Sequence, residues 1–415
     1  MLKGFRVLMV TSVNMAANPR CLKELKTLVS FGANVTVIKF DFNNWSVAYE
    51  KEIEAELNSV SWIKLTVGRE RILPWITSTI ISKLASTLSK IFPSNKKLLA
   101  YKLDKRSYLL NKRLQSLPPQ FDIIIGHNPG VFWPVSQYAD KHNIPYGIDI
   151  EDYHAGESGK SVDESSQILM KTTLANASYI TAASPQILSR VVADVGEKNS
   201  TGVVNNVFEL KMQPSYKENE ITADSPHLKI VWFSQYVGLN RGLQDVFNAI
   251  NRINHFPVQL TVIGNCTESI KHSLLSCLVT DKHRVEFVNP MPEKKLFELL
   301  SDNHIGLALE PGFSINNDIA LSNKILSYIL AGNAIIASDT EAQAYFISNN
   351  PGVGIVYQKG NSEQLAQLLE QLYSNQQELT EMRKAAYTLA ASALNWEQEQ
   401  HLFIKHVLLT IEHAA

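Results

Sequence analysis

The stretch Leu321–Asp339, LSNKILSYILAGNAIIASD, decides how the rest of the chain is read. Ser322 can cap a helix, Ile325, Tyr328 and Ile329 fall on one face of it, and Gly332 ends it. Ala334–Ala337 follows as a short apolar run of strand type. A helix feeding a buried strand is half of a parallel α/β unit. Lys324 sits badly in this reading. It lies in the first turn, where the helix dipole presents partial positive charge, and a cation there is unfavourable unless an anion binds nearby.

Outward from this stretch the same alternation continues. The C-terminal half predicts strands at Lys229–Ser234, Val258–Gly264, Arg284–Val288, Ile305–Glu310, Ala334–Ser338 and Gly354–Tyr357. Helices are expected at Gly242–Asn254, Glu268–Leu278, Glu293–Ser301, Ser322–Ala331, Ala342–Ser348 and Ser362–Ser374. The N-terminal half predicts strands at Phe5–Thr11, Asn34–Phe40, Asp122–Gly126, Tyr146–Ile150, Tyr179–Ala183 and Gly202–Val204, with a less regular one at Trp62–Thr66. Arg20–Ser30 carries Leu22, Leu25, Leu28 and Val29 at helical spacing, with Gly32 as a stop. Lys211–His227 has two prolines, many charges and no periodicity, and reads as a linker. The expected fold class is α/β: two doubly wound, Rossmann-like parallel sheets. Residues 1–210 form one domain, 211–227 the linker, 228–395 a second domain and 396–415 a final amphipathic helix.

The chain has 415 residues, 19% charged and 45% hydrophobic, the composition of an ordinary folded protein. A net charge of −1 makes no case for nucleic acid. Cys21, Cys266 and Cys277 form no CxxC pair, so neither zinc nor a disulfide framework is supported. No run reaches the roughly 18 uncharged apolar residues that span a bilayer, and FRVLMVT at 5–11 is too short for a secretory leader. The cytoplasm is the default compartment. Charge is uneven, however. Lys64–Arg113 holds twelve Lys/Arg against Glu70 and Asp104 alone, a net of +10. Inside it, ILPWITSTIISKLASTLSKIF (Ile72–Phe92) is apolar and amphipathic. It is either a surface that rests on anionic lipid at the inner face of the cytoplasmic membrane, or a helix whose apolar face packs on its domain.

In doubly wound sheets ligands bind beyond the carboxyl ends of the strands, where strand order reverses. In the C-terminal half the loops there are Gln235–Arg241 and Pro311–Ser322. Arg241 precedes one helix and Lys324 lies in the first turn of the other. They are either solvated and unpaired, or bridged by a diphosphate. In the N-terminal half the loops are Ser12–Arg20 and His127–Val131. His127 projects from the end of FDIIIGH as a substrate contact or a structural histidine, and Arg20 faces an anionic acceptor or solvent. Asp149-Ile150-Glu151-Asp152 reads as loop caps, a hydrogen-bonding site for a sugar hydroxyl, or a metal motif. No GxGxxG, P-loop, HExxH or GxSxG is present, which argues against NAD, FAD, P-loop and those hydrolase chemistries.

Four stretches taken together resemble the GT-B glycosyltransferases of group 1, the retaining family-four type. VLMVTSVNMAANPRCLKELKTLVSFGANVTVI is similar to the family's opening strand, "PR-x-x-KE" helix and second strand. FDIIIGHNPGVFWPVSQYADKHNIPYGIDIEDYH resembles its acceptor-domain block. KIVWFSQYVGLNRGLQDVFNAI resembles the start of its donor domain, with Arg241-Gly242 in place of Lys-Gly. LSNKILSYILAGNAIIASD resembles its "NK" signature. The likeness implies two domains facing across a cleft, with the terminal helix after Trp396 returning to the first. It implies a nucleotide-sugar donor and an acceptor. With the paired cationic helix starts and the basic, apolar Lys64–Arg113 segment, the leading reading is transfer to a glycan or lipid-linked acceptor in assembling a surface polysaccharide or lipid-linked oligosaccharide. No metal or other cofactor is implied, since Arg241 and Lys324 would neutralise the leaving diphosphate and His127 would contact the donor sugar. The substrate-binding set on this reading is Asn14, Arg20 and Asp152, with Gly238, Glu310, Asn316, Asp318, Ser322, Asn323 and Ser327. The chain departs from the family at its two glutamates: Ile319 and Ser327 stand at those places, with Asp318 or Glu310 as substitutes for the first and Ser327 left one hydrogen bond to ribose. A sugar-nucleotide epimerase of the same fold and a degenerate binding or scaffold subunit are the competing readings.

Overall fold

The computed structural model describes residues 2–196 and 200–414. The chain divides into two compact units, Met1–Asn205 with Glu399–Ala415, and Asn206–Gln398.

The first unit runs β1 (Arg6–Thr11), α1 (Pro19–Ser30), β2 (Asn34–Asp41), α2 (Val47–Glu56), β3 (Ser61–Thr66), α3 (Ile72–Leu88), α4 (Lys96–Leu103) and α5 (Arg106–Leu114). It continues with β4 (Ile123–His127), α6 (Phe132–His142), β5 (Tyr146–Ile150), α7 (Glu164–Thr173), β6 (Tyr179–Ala182), α8 (Pro185–Val195) and β7 (Thr201–Val203). The seven strands pair in the order β3-β2-β1-β4-β5-β6-β7, so the reversal falls between β1 and β4. All pairs are parallel. The central strands β4, β5 and β6 are buried along their whole length, as continuous apolar runs in a sheet covered on both faces should be.

The second unit runs β8 (Leu228–Tyr236), α9 (Leu243–Ile250), β9 (Val258–Asn265), α10 (Glu268–Leu275), β10 (Arg284–Val288), α11 (Glu293–Ser301), β11 (Ile305–Ala308) and α12 (Ile315–Ile319). Then come α13 (Asn323–Ala331), β12 (Ala334–Ser338), α14 (Glu341–Asn349), β13 (Gly354–Tyr357), α15 (Ser362–Ser374) and α16 (Gln376–Ser392), and the start of α17 (Trp396–Ala414), which leaves this unit after Gln398. Its order is β10-β9-β8-β11-β12-β13, with the reversal between β8 and β11. The opening stretch forms α13 and β12 as expected. Ser322 accepts from the Lys324 amide, and Gly332 caps the C-terminus in the left-handed conformation. Tyr328, buried on α13, donates to Leu307 O at 3.0 Å and so ties the helix to β11.

The segment 211–227 is not a free tether. Tyr387 donates to Pro214 O (3.1 Å), Arg383 to Lys217 O (2.8 Å), and the Tyr216 and Tyr387 rings meet edge to face. From Glu399 onward α17 belongs to the first unit, where Glu399 accepts from Asn205 and His406 stacks on Tyr179. Residue 415 of the expected terminal helix lies outside the described residues. Among the described residues no helix is long and apolar enough to cross a membrane.

Candidate functional site

In the first unit, register alone assembles a buried row. Thr11 pairs with His127, His127 with Asp149, and Asp149 with Thr181. Arg20, in the first turn of α1, reaches across to it. Its guanidinium grips Asp149 through two bonds of 2.5 and 2.6 Å and donates to Val204 O at 2.5 Å. Arg20 is fully buried, so the reading of it as facing an acceptor or solvent is corrected: its charge is spent inside the fold. His127 is also buried, at 2% exposure, with Nε2 3.1 Å from Glu24 Oε2 and Nδ1 3.6 Å from Asp149 Oδ2. Burial alone would lower its pKa, but Cys21, Glu24 and their hydrogen bonds carry it well above the ordinary 6.5. Burial and then Asp149 push the Glu24 carboxyl up. The expected contact of His127 with a donor sugar is therefore corrected as well, because α1 closes over the end of β4 and Glu24 takes the ring. Glu24 was missed in the sequence, where it reads as one more polar position of an amphipathic helix.

Asn14 is buried too, donating to Ser46 Oγ (2.6 Å) and accepting from the Ala17 amide (2.9 Å). It shapes the loop after β1 and is turned away from solvent. Asp152 is better placed. With His154, Glu157, Phe132, Leu103 and Met170 it lines a cavity of about 210 Å³, in which His154 Nδ1 lies 2.6 Å from Glu157 Oε1. The other acidic cluster, Asp41, Glu50 and Glu54, converges on the buried ammonium of Lys39, and Lys64 also pairs with Glu54, so two cations face its three carboxylates.

In the second unit a pocket of about 810 Å³ opens at the reversal point. The loop after β8 and the start of α9 contribute Leu239, Asn240, Arg241, Gly242, Gln244 and Asp245, the loop after β11 contributes Pro311 and Phe313, and the loop after β13 contributes Lys359 and Gly360. Gly242 makes this possible. Its φ is +79°, and a Cβ there would lie 2.3 Å from Leu309 O, so only glycine lets α9 begin against the end of β11. Arg241 is exposed at this helix start. Gly238 beside it has open space, with only Arg241 Cγ at 3.9 Å from an added Cβ.

Lys324 does not line the pocket. Its Nζ is 2.5 Å from Glu310 Oε1, with only 12% of its side chain exposed, and it lies 5.7 Å from the Trp232 ring. Glu310 also accepts from Ser322 (2.9 Å) and Asn317 (3.4 Å). Burial would raise this carboxyl; Lys324 and these hydrogen bonds bring it below the usual range. The conflict read at Lys324 is thus met by a carboxylate of the chain itself, and the picture of an unpaired cation is corrected. Ser327 is corrected likewise: it is 2% exposed and its hydroxyl donates to Asn323 O (2.9 Å), leaving nothing turned toward a ribose. Asn323 is exposed, and Asn316 and Asp318 sit on the short helix α12.

Lys359 is the cation the sequence reading missed. Its Nζ stands 3.5 Å from Asp318 and 3.7 Å from Asp339, while the Gly360 amide donates to Asp245 at 2.9 Å and fixes the loop beside α9. The pair Lys359-Gly360 ahead of α15 repeats the pattern Arg241-Gly242 ahead of α9, and that repeat was the available signal.

No protein-family model matches the chain, and no curated protein matches it. Solved structures do. HepE of Anabaena in complex with UDP aligns with TM-score 0.68 at 13% identity, over 97% of this chain and 99% of that one. A sucrose-phosphate synthase from Thermosynechococcus elongatus aligns with TM-score 0.69 at 15% identity, over 99% and 100%. MurG of Acinetobacter baumannii aligns with TM-score 0.55 at 15% identity, over 96% and 98%. At these identities the likeness shows the fold: two Rossmann-like parallel sheets in the GT-B arrangement of elements.

Proposed function

We propose that this chain is a glycosyltransferase that takes a sugar from a nucleotide-sugar donor held by the second unit. The observation that carries the reading is the pocket at the β8/β11 reversal, with Arg241 at a helix start and Lys359 beside it. Structures of HepE that it resembles contain UDP or UDP-glucose, which fits a ligand of that chemistry. Arg241 meets the diphosphate, Lys359 adds a second charge, and Lys324 joins only by sharing itself between phosphate and Glu310. Exposed Phe313 offers a face to the base. With cations supplied by the chain, the leaving diphosphate is neutralised without a bound metal. The acceptor is a glycan or lipid-linked glycan, met by the first unit near Asp152 and His154. Transfer is of the retaining, family-four type, at the inner face of the cytoplasmic membrane.

Incubation with UDP- and GDP-sugars should release free nucleotide, and a donor should raise the thermal midpoint. Arg241→Ala should weaken donor binding about tenfold or more while leaving the midpoint of the free protein unchanged. Failure of every donor to bind or be cleaved would sink the proposal. Isomerisation of a donor without any acceptor would point instead to an epimerase. A scaffold reading is favoured by Ser327 and by the Glu310–Lys324 pair, and tight donor binding without turnover would support it.

A further inference from the structure

Helix α3 is built inside out. The side turned to its own unit carries Ser78, Ala85 and Ser89, all buried, with Trp75, Ile81 and Ser82 half-buried. Its outer side carries Ile72, Leu73, Ile76, Ile80, Leu84 and Leu88, which are 39 to 76% exposed. A helix that simply packed on its domain would have these two faces exchanged. The stripe extends past the helix end through exposed Ile91 and Phe92. Two threonines interrupt it, but both hydroxyls are turned back onto the helix: Thr77 donates to Leu73 O (2.8 Å) and Thr87 to Lys83 O (3.2 Å). Their hydrogens are satisfied without water, as residues entering an apolar medium require.

Charge then selects the occupant. Residues 71–103 hold six cations, Arg71, Lys83, Lys90, Lys96, Lys97 and Lys102, and no carboxylate. A second copy would oppose this set with an identical one, and like charges across an interface are costly. An anionic bilayer meets both features: acyl chains take the stripe and headgroups take the lysines. The stripe lies along the surface, since no described helix can cross a membrane.

We propose that α3 and the turn after it dock this protein on an anionic lipid surface. The same helix layer leads to the smaller cavity. Ala85 of α3 shares an apolar cluster with Leu99, Trp133 and Leu169, and Leu169 also lines the cavity that holds Asp152 and His154. Docking through α3 sets that cavity close to the headgroups, where the glycan of a lipid-linked acceptor would be presented.

The inference rests on the membrane part of the proposed function and is tested without donor or acceptor, so its failure would remove the membrane location and leave the donor reading standing. The full chain is sedimented with vesicles of phosphatidylcholine containing about 30% phosphatidylglycerol, and with phosphatidylcholine alone. Wild type should bind the anionic vesicles, and raising the salt from about 0.1 to about 0.5 M should release most of it. The triple variant Leu73→Ser/Ile80→Ser/Leu84→Ser should lose about tenfold or more of the binding with an unchanged thermal midpoint. Lys83→Glu/Lys90→Glu should lose binding to anionic vesicles as well. The proposal is overturned by absent binding, by binding that the triple variant keeps, or by a lipid-free dimer that the triple variant abolishes.

Discussion

At the scale of single residues, two buried ion networks decide what each unit tolerates. His127 is buried between Glu24 and Asp149; burial lowers its pKa, but Cys21 and Glu24 raise it further, so folding favours a proton there that the unfolded chain releases above about pH 6.5. The stabilisation is fully present below that pH and is lost as pH rises through the raised folded value. Thermal midpoints measured from pH 6 to 10 should fall more steeply for wild type than for His127→Gln; parallel curves would refute the buried imidazolium. In the second unit, Lys324→Ala leaves Glu310 buried without its partner and should cost roughly 3 kcal/mol in denaturant unfolding. Adding Glu310→Gln should recover most of that loss. If the single variant were as stable as wild type, Lys324 would be a free ligand cation after all. These networks are where the sequence was least legible. Glu24 and His127 are far apart in the chain, and only the register of β1, β4 and β5 beside α1 brings them together.

At the scale of elements, strands were legible because parallel sheets buried on both faces demand continuous apolar runs. β5 and β12, buried along their whole length, fall where those runs predict. The edge strands β10 and β13 are only partly buried and were legible instead from the alternation in RVEFV and the short run GIVY. The reversal points followed from strand order, and the loops chosen there do hold the larger pocket. Helix α16 had no such signal, since its buried face rests largely on Ala386, Ala390, Leu379 and Met382, and alanine barely registers in a hydrophobic pattern. For α3 the pattern was visible but its direction was not, because periodicity marks an apolar face without saying what covers it. Gly242 is the element-scale lever on the site. Gly242→Ala puts a Cβ against Leu309 O and forces a left-handed φ on a residue that resists it. Donor affinity measured by calorimetry should drop about tenfold or more even where the variant stays folded, because the start of α9 must move away from β11. An unaltered affinity would mean that donor binding does not depend on where α9 begins.

At the scale of the whole molecule, a near-neutral total hides a strongly basic segment, Lys64–Arg113, against an acidic remainder. The first unit is also discontinuous, made from Met1–Asn205 and the closing Glu399–Ala415. His406 stacks on Tyr179 and accepts or donates at Ser200 Oγ (2.7 Å), while Glu399 holds the Asn205 amide (2.9 Å). Truncation after Gln398 should therefore lower the midpoint of the first unit by several degrees, read by near-ultraviolet circular dichroism, and leave the second unit's transition in place. Two unchanged transitions would show that the closing helix is dispensable.

That discontinuity has a consequence for synthesis. The ribosome delivers seven strands early, but the segment that covers β6 and β7 arrives only after the whole second unit has been made. The unit begun first is the one finished last. During that interval Tyr179 and its neighbours lack their cover, so chaperone capture and proteolytic cutting of nascent chains should concentrate there until the final helix emerges.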